Sequence, residues 1–302
     1  RALQPDAAFV EDYHDLLARD DVDLVVVATP HDLHFGMVVD ALRAGKHVLC
    51  EKPLAITVAE CDGMIAAAAE AGRELFVVQT QRGSPPFRRL KRVLDENDFG
   101  PLVGGAAMYL GCEVRRMGEV DNWKGTHARA GGGVLLDGGC HVIDLCNWYL
   151  GRPVGVMARS RTPAGWHAHK GETTGQLLIS YESGAVVQVL ASFEARLAGS
   201  FTDGTLGISV DLYAEQGSAR AEYAYLGKYG ARTSVRYVCR GDEEHVIQPQ
   251  GGDGANFARN VVDCLLGRGE PLVTAREARQ AVAVVQAAYE SARTGRQVDV
   301  PA

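Results

Sequence analysis

Two hydrophobic patterns divide the chain. Between residues 22 and 96, short uninterrupted apolar runs alternate with stretches in which apolar residues recur every three or four positions. The runs at 22–28, 47–50 and 75–78 have strand length and no polar alternation, as strands buried on both faces do. The stretches at 34–44, 57–71 and 84–96 have helical spacing, and a shorter one begins at Asp12-Tyr13-His14-Asp15-Leu16-Leu17. Thr57 with Glu60 three residues later is a capping box for the Ala-rich helix, and Gly72 supplies its stop. This alternation predicts right-handed, parallel βαβ units.

After Gly100-Pro101 the period becomes two. Strands are predicted at 102–111, 154–161, 173–181, 185–195, 206–214, 218–225, 233–239 and 244–248, with Glu182-Ser183-Gly184 turning one hairpin. Such an antiparallel sheet buries one face and leaves the other open to solvent or a partner. Helices are predicted at 253–267 and 274–294. The Ala-Val-Ala-Val-Val run at 281–285 is assigned to buried helix because its flanks are rich in Ala, Gln, Glu and Arg. Residues 112–133 are the longest irregular stretch, and long loops in compact domains are usually functional.

Composition narrows the function classes. At 302 residues the chain suits about two domains, and 46% hydrophobic with 23% charged residues is ordinary for a globular protein. A net charge of −7, from 31 basic and 38 acidic residues, argues against a nucleic-acid or membrane-surface partner. Seven cysteines, at 50, 61, 112, 140, 146, 239 and 264, are odd in number and form no C-x-x-C pair. They suit reduced thiols and a cytoplasmic location, and no metal site is expected from them. His167-Ala-His169 has a spacing that invites metal, but no carboxylate or cysteine converges on it. Gly251-Gly-Asp-Gly254 follows antiparallel strands and reads as a connector.

The candidate chemistry sits at strand ends. Glu51-Lys52-Pro53 closes the second apolar run, which places a lysine at the carboxyl edge of a parallel sheet, where open α/β folds bind ligands. Further on, Gly131-Gly-Gly-Val-Leu-Leu-Asp137-Gly-Gly-Cys-His141-Val-Ile-Asp144 leads into helical spacing, and Asp137 and His141 share a face if the glycine-rich start is helical. An imidazole beside a carboxylate can act as a general acid/base unit, with the carboxylate orienting the ring and holding its pKa near neutrality.

In this order, these residues resemble the Gfo/Idh/MocA family of NAD(P)-dependent oxidoreductases. The resemblance rests on Ala28-Thr29-Pro30 with His34, on Ala44-Gly45-Lys46-His47-Val48 leading into Glu51-Lys52-Pro53, on the Asp137/His141 helix, and on the carboxyl-terminal stretch 287–298. It implies an α/β plus α+β chain. Residues 1–99 would form an incomplete Rossmann-type parallel sheet and residues 100–302 a domain with a large, mostly antiparallel, open-faced sheet. The last helix would pack back on the first domain.

The resemblance further implies hydride transfer between NAD or NADP and a hydroxyl-bearing carbon of a sugar or cyclic polyol. Lys52, Asp137 and His141 would be catalytic. Thr29, Pro30, His34, Glu51, Lys52 and Pro53 would border the cofactor, Pro53 being a candidate cis bond. Arg82, Trp123, Asp137 and His141 would face the substrate, and the open sheet face would form a homodimer or homotetramer. No G-x-G-x-x-G turn is present, and residues 1–20 resemble the region just before the third strand of that fold. The chain is therefore expected to lack one strand-helix-strand unit, to leave the edge of strand 22–28 unpaired, and to bind NAD poorly without it. A non-catalytic sensor on the same fold and an NAD-dependent glycoside hydrolase are the alternatives.

Overall fold

The structure is a computed structural model that describes residues 7–166, 170–196 and 204–302. The histidines at 167 and 169 lie outside them. Three parallel strands, β1 (Leu24–Val27), β2 (His47–Glu51) and β3 (Leu75–Val78), form the first sheet in that order. Helix α1 (Tyr13–Leu17) precedes β1, and α2 (His34–Arg43) and α3 (Val58–Ala71) cross between the strands. The α3 capping box forms, with Thr57 and Glu60 exchanging bonds, and Gly72 closes the helix at φ 59°. The Lys52–Pro53 peptide is cis.

Burial on both faces explains the uninterrupted apolar runs. Val27, Val48, Cys50 and Val77 belong to the main core, whereas Leu49, Phe76 and Val78 face the other way and pack on Val261. Among the described residues β1 is the edge strand, and Val26 on it is 59% exposed.

Helices α4 (Thr80–Gly83) and α5 (Pro85–Glu96) lead to the second sheet. Its nine strands are β4 (Leu102–Gly111), β5 (Pro153–Arg161), β6 (Thr174–Tyr181), β7 (Val186–Ser192), β8 (Leu206–Ala214), β9 (Gly217–Tyr225), β10 (Ala231–Cys239), β11 (His245–Ile247) and β12 (Val298–Asp299), in the order β11-β10-β9-β8-β4-β7-β6-β5-β12. All neighbours are antiparallel except β4 and β7. Strand β12 falls in the carboxyl-terminal tail, where two residues carry no periodicity. Met108, Met157, Leu178 and Val186 lie exposed on this sheet.

Two sequence boundaries need correction. The stretch 112–133 holds two short helices, α6 (Val114–Met117) and α7 (His127–Ala130). The helix expected from 253 begins later, because Asn256 caps α9 (Phe257–Leu265) by accepting from Arg259 N, and Gly251–Asp253 form a separate 3-10 turn in the connector. Between these regions run α8 (Cys140–Leu150), entered through a π-helical turn at Leu135–Gly139, and α10 (Ala275–Thr294). The latter reaches both sheets. Its Gln286 accepts from Val58 N at 3.0 Å and its Ser291 from Ala158 N at 2.9 Å.

Candidate active site

Lys52 leaves the carboxyl end of β2 and crosses to the π-helical turn. Its Nζ donates to the Asp137 backbone oxygen at 2.6 Å and to Asp137 Oδ1 at 2.9 Å. An ammonium has three N–H donors, so one remains for a ligand. Lys124 Nζ stands 3.5 Å from the same Oδ1. Burial alone would raise the Asp137 carboxyl, but the two lysines reverse this and hold it well below the usual carboxylate range. Burial likewise works against the Lys52 ammonium, and Asp137 outweighs it and keeps the group protonated.

His141 is on the next turn. Burial first, and then the nearby Lys52 charge, push its pKa down to about 3. This corrects the near-neutral value expected from a carboxylate neighbour: Asp137 acts to raise it, but burial and the charges of Lys52 and Lys124 outweigh the carboxylate. The Tyr109 ring of β4 stacks on the imidazole, with centroids 6.2 Å apart and planes at 20°. His141 Nδ1 is buried and has no hydrogen-bond partner in the structure. The result is a neutral imidazole with an open nitrogen beside a paired lysine.

The glycine-rich entry makes this packing possible. A Cβ on Gly138 would collide with the Tyr109 ring, and one on Gly133 with the Glu172 backbone. Buried Glu172 accepts from Gly133 N at 3.1 Å, Leu135 N at 2.8 Å and the Tyr289 hydroxyl at 3.2 Å, which fixes the start of the turn carrying Asp137.

The other expected residues divide. Thr29 Oγ1 is a buried atom without a partner, at the same sheet edge. That orphaned hydroxyl, followed by Pro30 and the turn His31–Leu33, suits the nicotinamide-ribose end of a dinucleotide. Glu51 Oε2 accepts from Lys52 N at 3.3 Å. His34 is fully buried and its ring nitrogens lie 2.9 Å from the Pro53 oxygen and 3.1 Å from the Thr29 oxygen. It therefore braces two edge loops rather than bordering the cofactor itself. Trp123 sits edge-on to His31 at 5.0 Å, and Lys124 lies over its ring.

Arg82 does not face the substrate. It is 2% exposed and donates to both oxygens of Asp144, at 2.8 and 2.9 Å, and to Glu277 at 2.6 Å, with its guanidinium 5.5 Å from the Trp148 ring centroid. Three of its five N–H donors are paired with carboxylates, and burial closes the side chain off from solvent. Reasoning from the sequence also missed His31, Tyr109, Glu172 and the contact of Lys124 with Asp137. Tyr109 looks like any inward position of a period-two strand, and the partners of the other three are 37 or more residues distant or in a loop without pattern.

Residues 2–79 match the family described as "Oxidoreductase family, NAD-binding Rossmann fold", and residues 87–220 match the "GFO/IDH/MocA C-terminal domain". The chain is 27% identical to D-apiose dehydrogenase of Paraburkholderia graminis over 294 residues, covering 94% of this chain and 75% of the relative. It is 26% identical to 1,5-anhydro-D-fructose reductase of Ensifer adhaerens, covering 96% and 84%. Among solved structures, a levoglucosan dehydrogenase in complex with NADH and levoglucosan superposes with a TM-score of 0.83 at 21% identity, over 97% of this chain and 84% of that one, a likeness in fold.

Proposed function

The chain belongs to the GFO/IDH/MocA oxidoreductase family, and from that premise we propose that it is an NAD(P)-dependent dehydrogenase of sugars or cyclic polyols. One observation carries the proposal: Lys52, held by Asp137 with one N–H unspent, and His141, whose buried Nδ1 has no partner, both adjoin the turn that carries Asp137. Thr29, Pro30 and Glu51 would hold the nicotinamide end of the cofactor, which supplies the hydride acceptor when bound. A hydroxyl seated between Lys52 and His141 gives its proton to the neutral imidazole. Lys52 meets the oxygen as negative charge grows on it, and its ammonium costs no reorganisation because Asp137 already orients it. In the reducing direction the same imidazole, protonated, returns the proton.

Residues 1–99 are proposed as the cofactor-binding part and 100–302 as the substrate-binding part. The face carrying Met108, Met157, Leu178 and Val186 would join a second copy of the chain, in a dimer or tetramer measurable by light scattering. Among the described residues no helix is long and apolar enough to cross a membrane, and none of the seven cysteines is in a disulfide. A cytoplasmic location is proposed on the latter ground.

The test is reduction of NAD and NADP by the protein with a panel of aldoses, anhydrosugars and cyclic polyols, beside Lys52→Met. Turnover that falls by about 10²–10³ in the variant is the expected result, the usual cost of removing an oxyanion-stabilising donor. Turnover that survives the substitution would remove Lys52 from the chemistry. The absence of turnover in the unaltered protein, with cofactor bound, would favour the sensor reading.

A further inference from the structure

The strand register places a third residue level with Lys52. Val27 pairs with Cys50, Cys50 with Val77 and Glu51 with Val78. Continued to the first residues past the strand ends, the register sets Thr29, Lys52 and Gln79 in one row across the carboxyl edge. Side chains alternate along a strand, so Lys52 and Gln79 lie on the face of Cys50 and Val77, the main-core side. Lys52 confirms that direction by reaching Asp137.

Gln79 is 1% exposed, and its Oε1 has no hydrogen-bond partner. Six buried side-chain polar atoms in the described residues lack a partner, and three of them belong to Thr29, Gln79 and His141. A buried amide end that stays unpaired is costly, and its recurrence around one site points to a ligand that satisfies it. The residue is also held in place. Its backbone oxygen accepts from Arg82 N at 2.9 Å, and Arg82 is pinned to Asp144.

Resting on the dehydrogenase reading above, we infer that Gln79 contacts the substrate, its carboxamide pairing with the hydroxyl next to the one being oxidised. The row order supports substrate over cofactor, since Thr29, proposed for the nicotinamide end with Pro30, and Gln79 flank Lys52 on opposite sides. A carboxamide both donates and accepts, which matches a hydroxyl. It is also neutral and leaves the Lys52–Asp137 charge balance undisturbed. Gln79 thereby sets which polyols bind in the productive register.

The experiment takes the best substrate from the panel and its mono-deoxy analogues, with Gln79→Leu and Gln79→Asn. Gln79→Leu is expected to lower kcat/KM about tenfold or more on the full substrate, the size of one lost hydrogen bond with its partner left unpaired. NADH affinity, followed by calorimetry, should stay unchanged. On the analogue lacking the adjacent hydroxyl, unaltered protein and variant should converge. Gln79→Asn, which keeps the amide on a shorter stem, should fall between. The inference is overturned by equal kcat/KM in all three proteins, by an undiminished loss on every deoxy analogue, or by a fall in NADH affinity. Failure of the unaltered protein to oxidise any member of the panel would sink the dehydrogenase reading, and this inference with it.

Discussion

Two buried ion clusters stand on the same scaffold and do different work. In each, a cation just past a strand of the first sheet reaches an aspartate on the segment 137–144: Lys52 to Asp137, and Arg82 to Asp144. The Arg82 cluster is closed. Bidentate pairing, a second carboxylate from α10 and a tryptophan face leave it little to offer a ligand. The Lys52 cluster is open, with one donor unspent, a second lysine sharing the carboxylate, and an imidazole nitrogen without a partner. Burial and charge are common to both, so neither marks the reactive site. What separates them is the titratable imidazole nitrogen left without a partner beside Lys52.

The closed cluster should show its effect in stability. Arg82→Met leaves Asp144 buried without its counter-ion and is expected to cost about 3–5 kcal/mol in denaturant unfolding. A variant that unfolds like the original protein but turns over a thousandfold more slowly would erase the distinction. The open cluster should show the reverse. His141→Asn is expected to reduce kcat/KM by about 10³, roughly 4 kcal/mol, with little change in melting temperature. A comparable loss of stability in that variant would make His141 a structural residue.

Acid separates the two further. His141 and His31 are buried as neutral rings, with pKa values pushed by burial to about 3 and about 4 from 6.5. Below pH 6.5 the unfolded chain takes up protons that the folded one refuses, so stability rises with pH across this window and is lost as pH falls through it toward 4. The expected loss is about 3 kcal/mol for each ring between pH 7 and pH 4, and His31→Gln should remove about half of the total. A flat profile in the unaltered protein would contradict the burial of these rings. Activity should show no acidic limb between pH 6 and 7 from His141, because the base is already neutral there.

Smaller effects sharpen the comparison. Lys124→Met, which removes a partly exposed cation 3.5 Å from Asp137, is expected to cost no more than about tenfold in kcat/KM. At the far end, Glu182→Ala breaks an exposed pair with Arg152 and should change stability by at most about 1 kcal/mol. A larger value would show that solvent-facing pairs matter as much here as the buried ones.

How far the sequence could be read follows from the same physics. The parallel strands, their helices and the change to period two were visible because each rests on local periodicity. Lys52, Asp137 and His141 were visible because strand ends and a glycine-rich helix start are local marks too. The role of Arg82 was not, since position at a carboxyl edge does not reveal whether carboxylates 62 and 195 residues further along will saturate it. Nor was the depressed pKa of His141, which depends on Lys52 in another element and on burial under the Tyr109 ring. Strand β12 was hidden by its shortness.

Helix α10 acts as a tie rod. Its twenty residues span about 30 Å. Its first turn is anchored to the amino-terminal sheet through the Phe76–Thr274 bridge and the Glu277–Arg82 bond, and its last turns to the second sheet through Ser291 and Ala158. A rod fixed at both ends resists the separation of the parts it joins. Opening and closing on the scale of whole domains is thus mechanically disfavoured, and traffic into the site falls to the loop that carries Trp123 and Lys124. Small-angle scattering with and without cofactor should accordingly give the same radius of gyration, while exchange of that loop's amides with solvent slows.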